Sequence, residues 1–94
     1  MKINVRIFVM KIIYTKHAEG KLKRADIKSF KIDKKFIEAA LSKSEHRGKT
    51  KYNDFSHLSS VSEKHDLRII YDIIDSNIKV ITFHIARKGR YDKA

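Results

Sequence analysis

The chain has 94 residues, 41% hydrophobic and 35% charged, enough for one domain with a modest core and too few for a second. Lys and Arg number 22 against 11 Asp and Glu, a net charge of +11, so the expected partners are nucleic acid, an anionic membrane or an acidic protein. The lack of Cys excludes disulfides, thiolate metal sites and thiol catalysis, and the three glycines, Gly20, Gly48 and Gly89, lie too far apart for a phosphate-cradling loop.

In chain order, residues 2–14 open with Ile3, Val5, Ile7 and Val9 alternating with Lys2, Asn4 and Arg6, and period two predicts a strand with one wet face. Met10 heads a run that itself reads like a start, so residues 1–9 are either an N-terminal extension of that strand or the product of an upstream start choice. The apolar run Ile7–Met10 is too short for a membrane helix or a signal-peptide core, and the expected location is the cytoplasm. Ala18, Leu22 and Ala25 at helical spacing predict a helix over 16–28, with Thr15 as its N-cap. Gly20 lies inside it, weakening it by ~1 kcal/mol relative to Ala and allowing close approach of another backbone. Asp33, followed by the stripe Phe36, Ile37, Ala40 and Leu41, predicts a second helix over 33–44.

Residues 45–51 (EHRGKTK) read as a basic loop, 52–58 as a short strand, and 59–65 as a turn or extended loop. Residues 66–75 and 77–86 are rich in Ile, Val, Tyr and Phe and flank the turn formers Asp75, Ser76 and Asn77, which predicts a β-hairpin. Residues 87–94 are a basic tail. The order β-α-α-β-β-β predicts a single α+β domain over 1–94, with two helices on one face of a mostly antiparallel sheet. With Ser76 and Asn77 central in the turn, Asp75 faces Ile78, Ile69 faces His84 and Arg68 pairs with Ile85. Both sheet faces are then largely apolar, and the one away from the helices is expected to be a cleft floor or an interface.

Chemistry is expected at the basic end of the hairpin. Arg68 opens one strand, and Arg87, Lys88, Arg90 and Tyr91 follow the other. Arginines at a sheet end grip a phosphate bidentately, and a tyrosine stacks on a base; a solubilising tail is the plainer reading. His84 lies in a strand, as a structural residue or as a general base. No pair among His17, His46, His57, His65 and His84 has i, i+4 spacing, so no metal site is expected. Lys21, Lys23 and Arg24 in the first helix, with Arg47 and Lys88, are candidates for neutralising backbone phosphates.

The run YTKHAEGKLKRADI, a helix ending EAALSK, the strand LRIIYDII and the strand VITFHIARKGRY, in this order over about residues 10–91, resemble small members of the RelE/ParE-type toxin superfamily. The chain departs from that pattern in the extra segment Met1–Val9 and in lacking a definite His–Lys–Arg cluster. The resemblance implies two N-terminal helices against a curved antiparallel sheet. It implies a toxin that cleaves mRNA, usually ribosome-bound, or poisons gyrase, needs no metal or cofactor, and is neutralised by an acidic antitoxin. The matching positions are Arg68, His84, Arg87, Arg90 and Tyr91. The expected function is therefore metal-independent endoribonuclease action, with His84 or Tyr91 as acid or base and Arg68, Arg87 and Arg90 stabilising the phosphorane. The alternative is a non-catalytic RNA- or protein-binding module of the same fold.

Overall fold

Ile12, Ile13 and Tyr14 are strand formers, and they make the short strand β1 (Ile12–Tyr14). The computed structural model describes residues 11–42, 46–49 and 54–89, with 46–49 as backbone. Among the described residues, three helices follow β1: α1 (Lys16–Lys21), α2 (Ala25–Ser29) and α3 (Lys34–Leu41). Four described strands come after these: β2 (His46–Lys49), β3 (Phe55–Ser60), β4 (His65–Ile74) and β5 (Asn77–Arg87). They build one five-stranded sheet in the order β1-β5-β4-β3-β2. Strands β2 to β5 form an antiparallel meander. Strand β1 joins it parallel to β5, with Ile12 opposite Ile78 and Tyr14 opposite Val80.

The α+β class expected from the sequence is the class observed, with a mixed sheet and a different element order. The segment 16–28 holds two helices instead of one. The N–H groups of Lys23 and Arg24 bond back three residues, to the carbonyls of Gly20 and Lys21, a tightening typical of a helix end. No backbone approaches Gly20: a Cβ there would meet nothing within 4 Å. The basic loop expected over 45–51 contains β2, which pairs with the outer edge of β3 and satisfies backbone groups that would otherwise be open. The strand expected over 52–58 runs later, as β3, and the turn to β4 shrinks to residues 61–64. The extension 1–9 and the tail from Arg90 onward lie outside the described residues.

Helix starts follow the capping chemistry. Asp33 Oδ1 accepts from the Phe36 N–H at 2.9 Å, and Thr15 Oγ1 accepts from the Ala18 N–H at 3.1 Å. The helices bury Ala18, Ile27, Ile37 and Leu41 against Leu67, Ile69 and Tyr71 of β4 and Ile78, Val80 and Phe83 of β5. Each large apolar side chain so buried contributes roughly 1.5–3 kcal/mol.

The hairpin register differs from the expected one in two ways. The turn is Asp75–Ser76, both with positive φ (51° and 67°), the signature of a type I′ turn, so Ile74 rather than Asp75 closes the ladder, opposite Asn77. Further along, Tyr71 faces Val80 but Ile70 faces Thr82, leaving Ile81 as an extra residue in β5. This β-bulge reverses the faces beyond it. Ile78 and Val80 before it, and Phe83 and Ile85 after it, all pack into the helix-covered core. The bulge is held by Thr15, whose N–H donates to the Val80 carbonyl at 3.1 Å and whose hydroxyl donates to the Ile81 carbonyl at 2.8 Å.

Thr15→Val removes both the helix cap and the bulge bond while keeping shape, and is expected to cost about 1–2 kcal/mol, read as a lower urea midpoint at unchanged m-value. Tyr14 gives a pH prediction. Its hydroxyl donates to Glu38 Oε2 at 3.0 Å. Burial first, then that hydrogen bond and the charges of Glu38, Glu19 and Asp33, push its pKa above the ordinary value of 10.0. The folded state therefore holds the phenol proton more tightly than the unfolded chain. The contribution is complete below pH 10 and fades as pH rises beyond it. Tyr14→Phe is expected to lose less stability than wild type between neutral and strongly alkaline pH, measured by urea titration across that range.

Candidate nucleic-acid interface

Strand alternation, corrected for the bulge, sets which side chains share the sheet face away from the helices. Across β3, β4 and β5, one row on that face is Leu58–Arg68–His84, the next Ser56–Ile70–Thr82, and the third Ser60–Asp66–Ala86. Leu58, Ile70 and Ala86 are buried, while Arg68 and His84 are half-buried. An arginine and a histidine thus stand directly across from one another over an apolar floor, a separation of roughly 4.5–5.5 Å between Cβ atoms. Thr82 Oγ1 is buried in the neighbouring row without a hydrogen-bond partner among the described residues.

Lys88 closes one end of this face. Its ammonium donates to Asp66 Oδ1 at 2.8 Å and to Ser60 Oγ at 2.7 Å, and its N–H donates to the Lys64 carbonyl at 2.9 Å. The Asp66 side chain is only 14% exposed, so much of the Lys88 charge is spent on an internal partner.

The remaining candidates lie elsewhere. Arg87 pairs with His65 in the register, and His65 packs its ring 5.5 Å from Phe30 on the helix side. Arg87 is therefore on the opposite face from Arg68 and His84, whereas the register expected from the sequence, with Arg68 opposite Ile85, puts it diagonal to Arg68. Lys21 donates to the Phe83 carbonyl at 2.7 Å, capping the β5 edge that β1 leaves open. Burial, and then the charge of Arg24, push its pKa below the ordinary lysine value, with Asp26 opposing. Arg24 pairs with Asp26 at 3.1 Å, both well exposed, and Lys23 is exposed. The Arg47 backbone lies opposite His57 in the β2–β3 ladder. Arg90 and Tyr91 lie outside the described residues.

Asp66, which no motif in the sequence marks, is the partner that orients Lys88. His65 lies in the stretch 59–65 expected as a turn or extended loop but opens β4, and the Ser62–His65 spacing is its local signal. Among the described residues no three His, Cys, Asp or Glu gather as a metal-ligand set, and none of the helices is long and apolar enough to cross a membrane.

Comparison with protein-family models finds no match to the chain, and comparisons with curated proteins and solved structures likewise find none.

Asp66→Asn keeps the shape but removes the charge opposite Lys88. It is expected to lower stability by about 1–2 kcal/mol, the low side of what a hydrogen bond to a charged group contributes, because Lys88 is 38% exposed and screened by solvent. Denaturant titration reads the effect.

Proposed function

We propose that the sheet face carrying Arg68 and His84 binds RNA, and that the chain is a toxin-like, metal-independent endoribonuclease. The observation that carries this reading is the direct cross-strand placement of Arg68 and His84 on that face. The resemblance to RelE/ParE-type toxins and the net charge of +11 support it.

In this reading a 2′-hydroxyl attacks its adjacent phosphate. His84, as neutral imidazole, takes the hydroxyl proton. Arg68 donates to the non-bridging oxygens as charge builds on the phosphorane. The P–O bond to the next nucleotide breaks, and the 5′-oxygen leaves with a proton supplied by Tyr91 or water. The products are a 2′,3′-cyclic phosphate and a 5′-hydroxyl. Arg87 takes no part on this face, and Lys88 contributes through what charge Asp66 leaves it. A small acidic antitoxin that covers this face is the partner proposed to silence it, drawn in by long-range attraction that salt weakens.

The test is incubation of purified protein with naked RNA and with ribosome-bound mRNA. His84→Ala is expected to lower the cleavage rate by about 10²–10⁴-fold, and Arg68→Ala by about 10²–10³-fold, with the circular dichroism spectrum unchanged. If wild type releases no fragments from either substrate while Arg68→Ala loses RNA affinity, the chain is a binding module and the catalytic assignment falls.

A further inference from the structure

On the helix side of the same sheet end, the Ser62 hydroxyl oxygen accepts two backbone N–H groups, from Lys64 at 3.2 Å and His65 at 3.1 Å. With its two lone pairs used, its own proton is left for His65 Nδ1, 3.3 Å away. An imidazole whose Nδ1 accepts keeps its neutral-form proton on Nε2. Ser62 therefore sets His65 as an Nε2–H donor, and Phe30 steadies the ring by a tilted contact. Directly across the strand stands Arg87, exposed and with no carboxylate in ion-pair range among the described residues. The turn between β3 and β4 adds one acid, Glu63, and one base, Lys64, both exposed.

An imidazole Nε2–H donor beside a guanidinium with no ion-pair partner among the described residues is a pre-set oxyanion receptor. It lies three residues along β4 from the Arg68–His84 row, ~10 Å at ~3.3 Å per residue, and on the opposite face. Two anion-binding pairs at one end of a sheet suit a chain of repeated anions better than a lone carboxylate. We infer that His65 and Arg87 form a second phosphate subsite, which takes a backbone phosphate of an RNA strand passing round the end of the sheet from the Arg68–His84 face. This rests on the RNA reading of that face.

The experiment is nitrogen-15 NMR of the intact chain, following the His65 ring nitrogens and the Arg87 Nε–Hε signal. Three ligands are titrated separately: inorganic phosphate, a short oligouridylate and polyglutamate. The expected result is an Nε2-protonated His65, shifts at both residues with phosphate, and binding of oligouridylate at least about tenfold tighter because its second contact is intramolecular. Arg87→Ala is expected to abolish the phosphate response, and Ser62→Ala to mix the tautomers and weaken it. Arg68→Ala is expected to leave the phosphate response intact and to weaken only the oligouridylate. A proton on Nδ1, absence of shifts with phosphate, or a response to polyglutamate without one to oligouridylate overturns the proposal. Failure of the cleavage reading shows separately, as His84→Ala without effect on RNA products while oligouridylate still shifts His65.

Discussion

The extra residue in β5 at Ile81 governs the molecule. Side chains in a strand alternate, so one inserted residue decides which downstream side chains meet the helices. Without it Thr82, His84 and Ala86 would follow Val80 toward the core, and Phe83 and Ile85 would turn away. The apolar area of Phe83, fully buried, favours the bulged arrangement by about 2–3 kcal/mol from that side chain alone. A bulge unsettles the ladder, and Thr15 compensates from the far end of the chain, giving a donor to each of the two carbonyls exposed there. Because Thr15 is also the first cap of α1, the same contact that stabilises the bulge seats the helices against β5. The core on one face and the Arg68–His84 pair on the other both follow.

Elements defined by neighbouring residues were legible in the sequence. Thr15 and Asp33 announce helix starts by their chemistry, the stripe from Phe36 to Leu41 marks α3, and the apolar runs around Asp75 mark the hairpin. Features that depend on distant partners were not. Nothing near Ile81 in sequence distinguishes a bulged strand from a regular one, because Ile, Thr and Phe are all good strand formers. The histidine assigned beside Ile69 therefore stands beside Arg68. The basic composition of residues 46–49 reads as a loop, and only the open edge of β3 makes a strand of it. The parallel pairing of β1 with β5 joins the two ends of the described chain, beyond the reach of any local pattern.

Charge is sorted as well as abundant. Glu19, Asp33 and Glu38 gather about Tyr14, where Lys34 both bonds Glu19 at 2.9 Å and lies 4.9 Å above the Tyr14 ring. This corner, where β1 meets α1 and α3, holds acids against the overall sign. The opposite end of the sheet holds Arg68, Arg87, Lys64 and Lys88, with Asp66 and Glu63 among them. Several cations also have structural duties, Lys21 at the β5 edge and Lys88 on Asp66, so a count of basic residues overstates the charge open to a partner.

The pairing of Thr15 with Ile81 spans 66 positions, and this shapes how the chain acquires its form during synthesis. A ribosome makes α1, α2 and α3 long before it makes the strand they cover. Until Val80 and Phe83 have left the exit tunnel, Ala18, Ile27 and Ile37 have no last strand to close over them. Short helices are marginal alone in water, so α1, α2 and α3 depend on that late strand for their stability. The surface proposed to handle RNA needs the same strand, because Arg68 of β4 meets His84 only once β5 pairs with it.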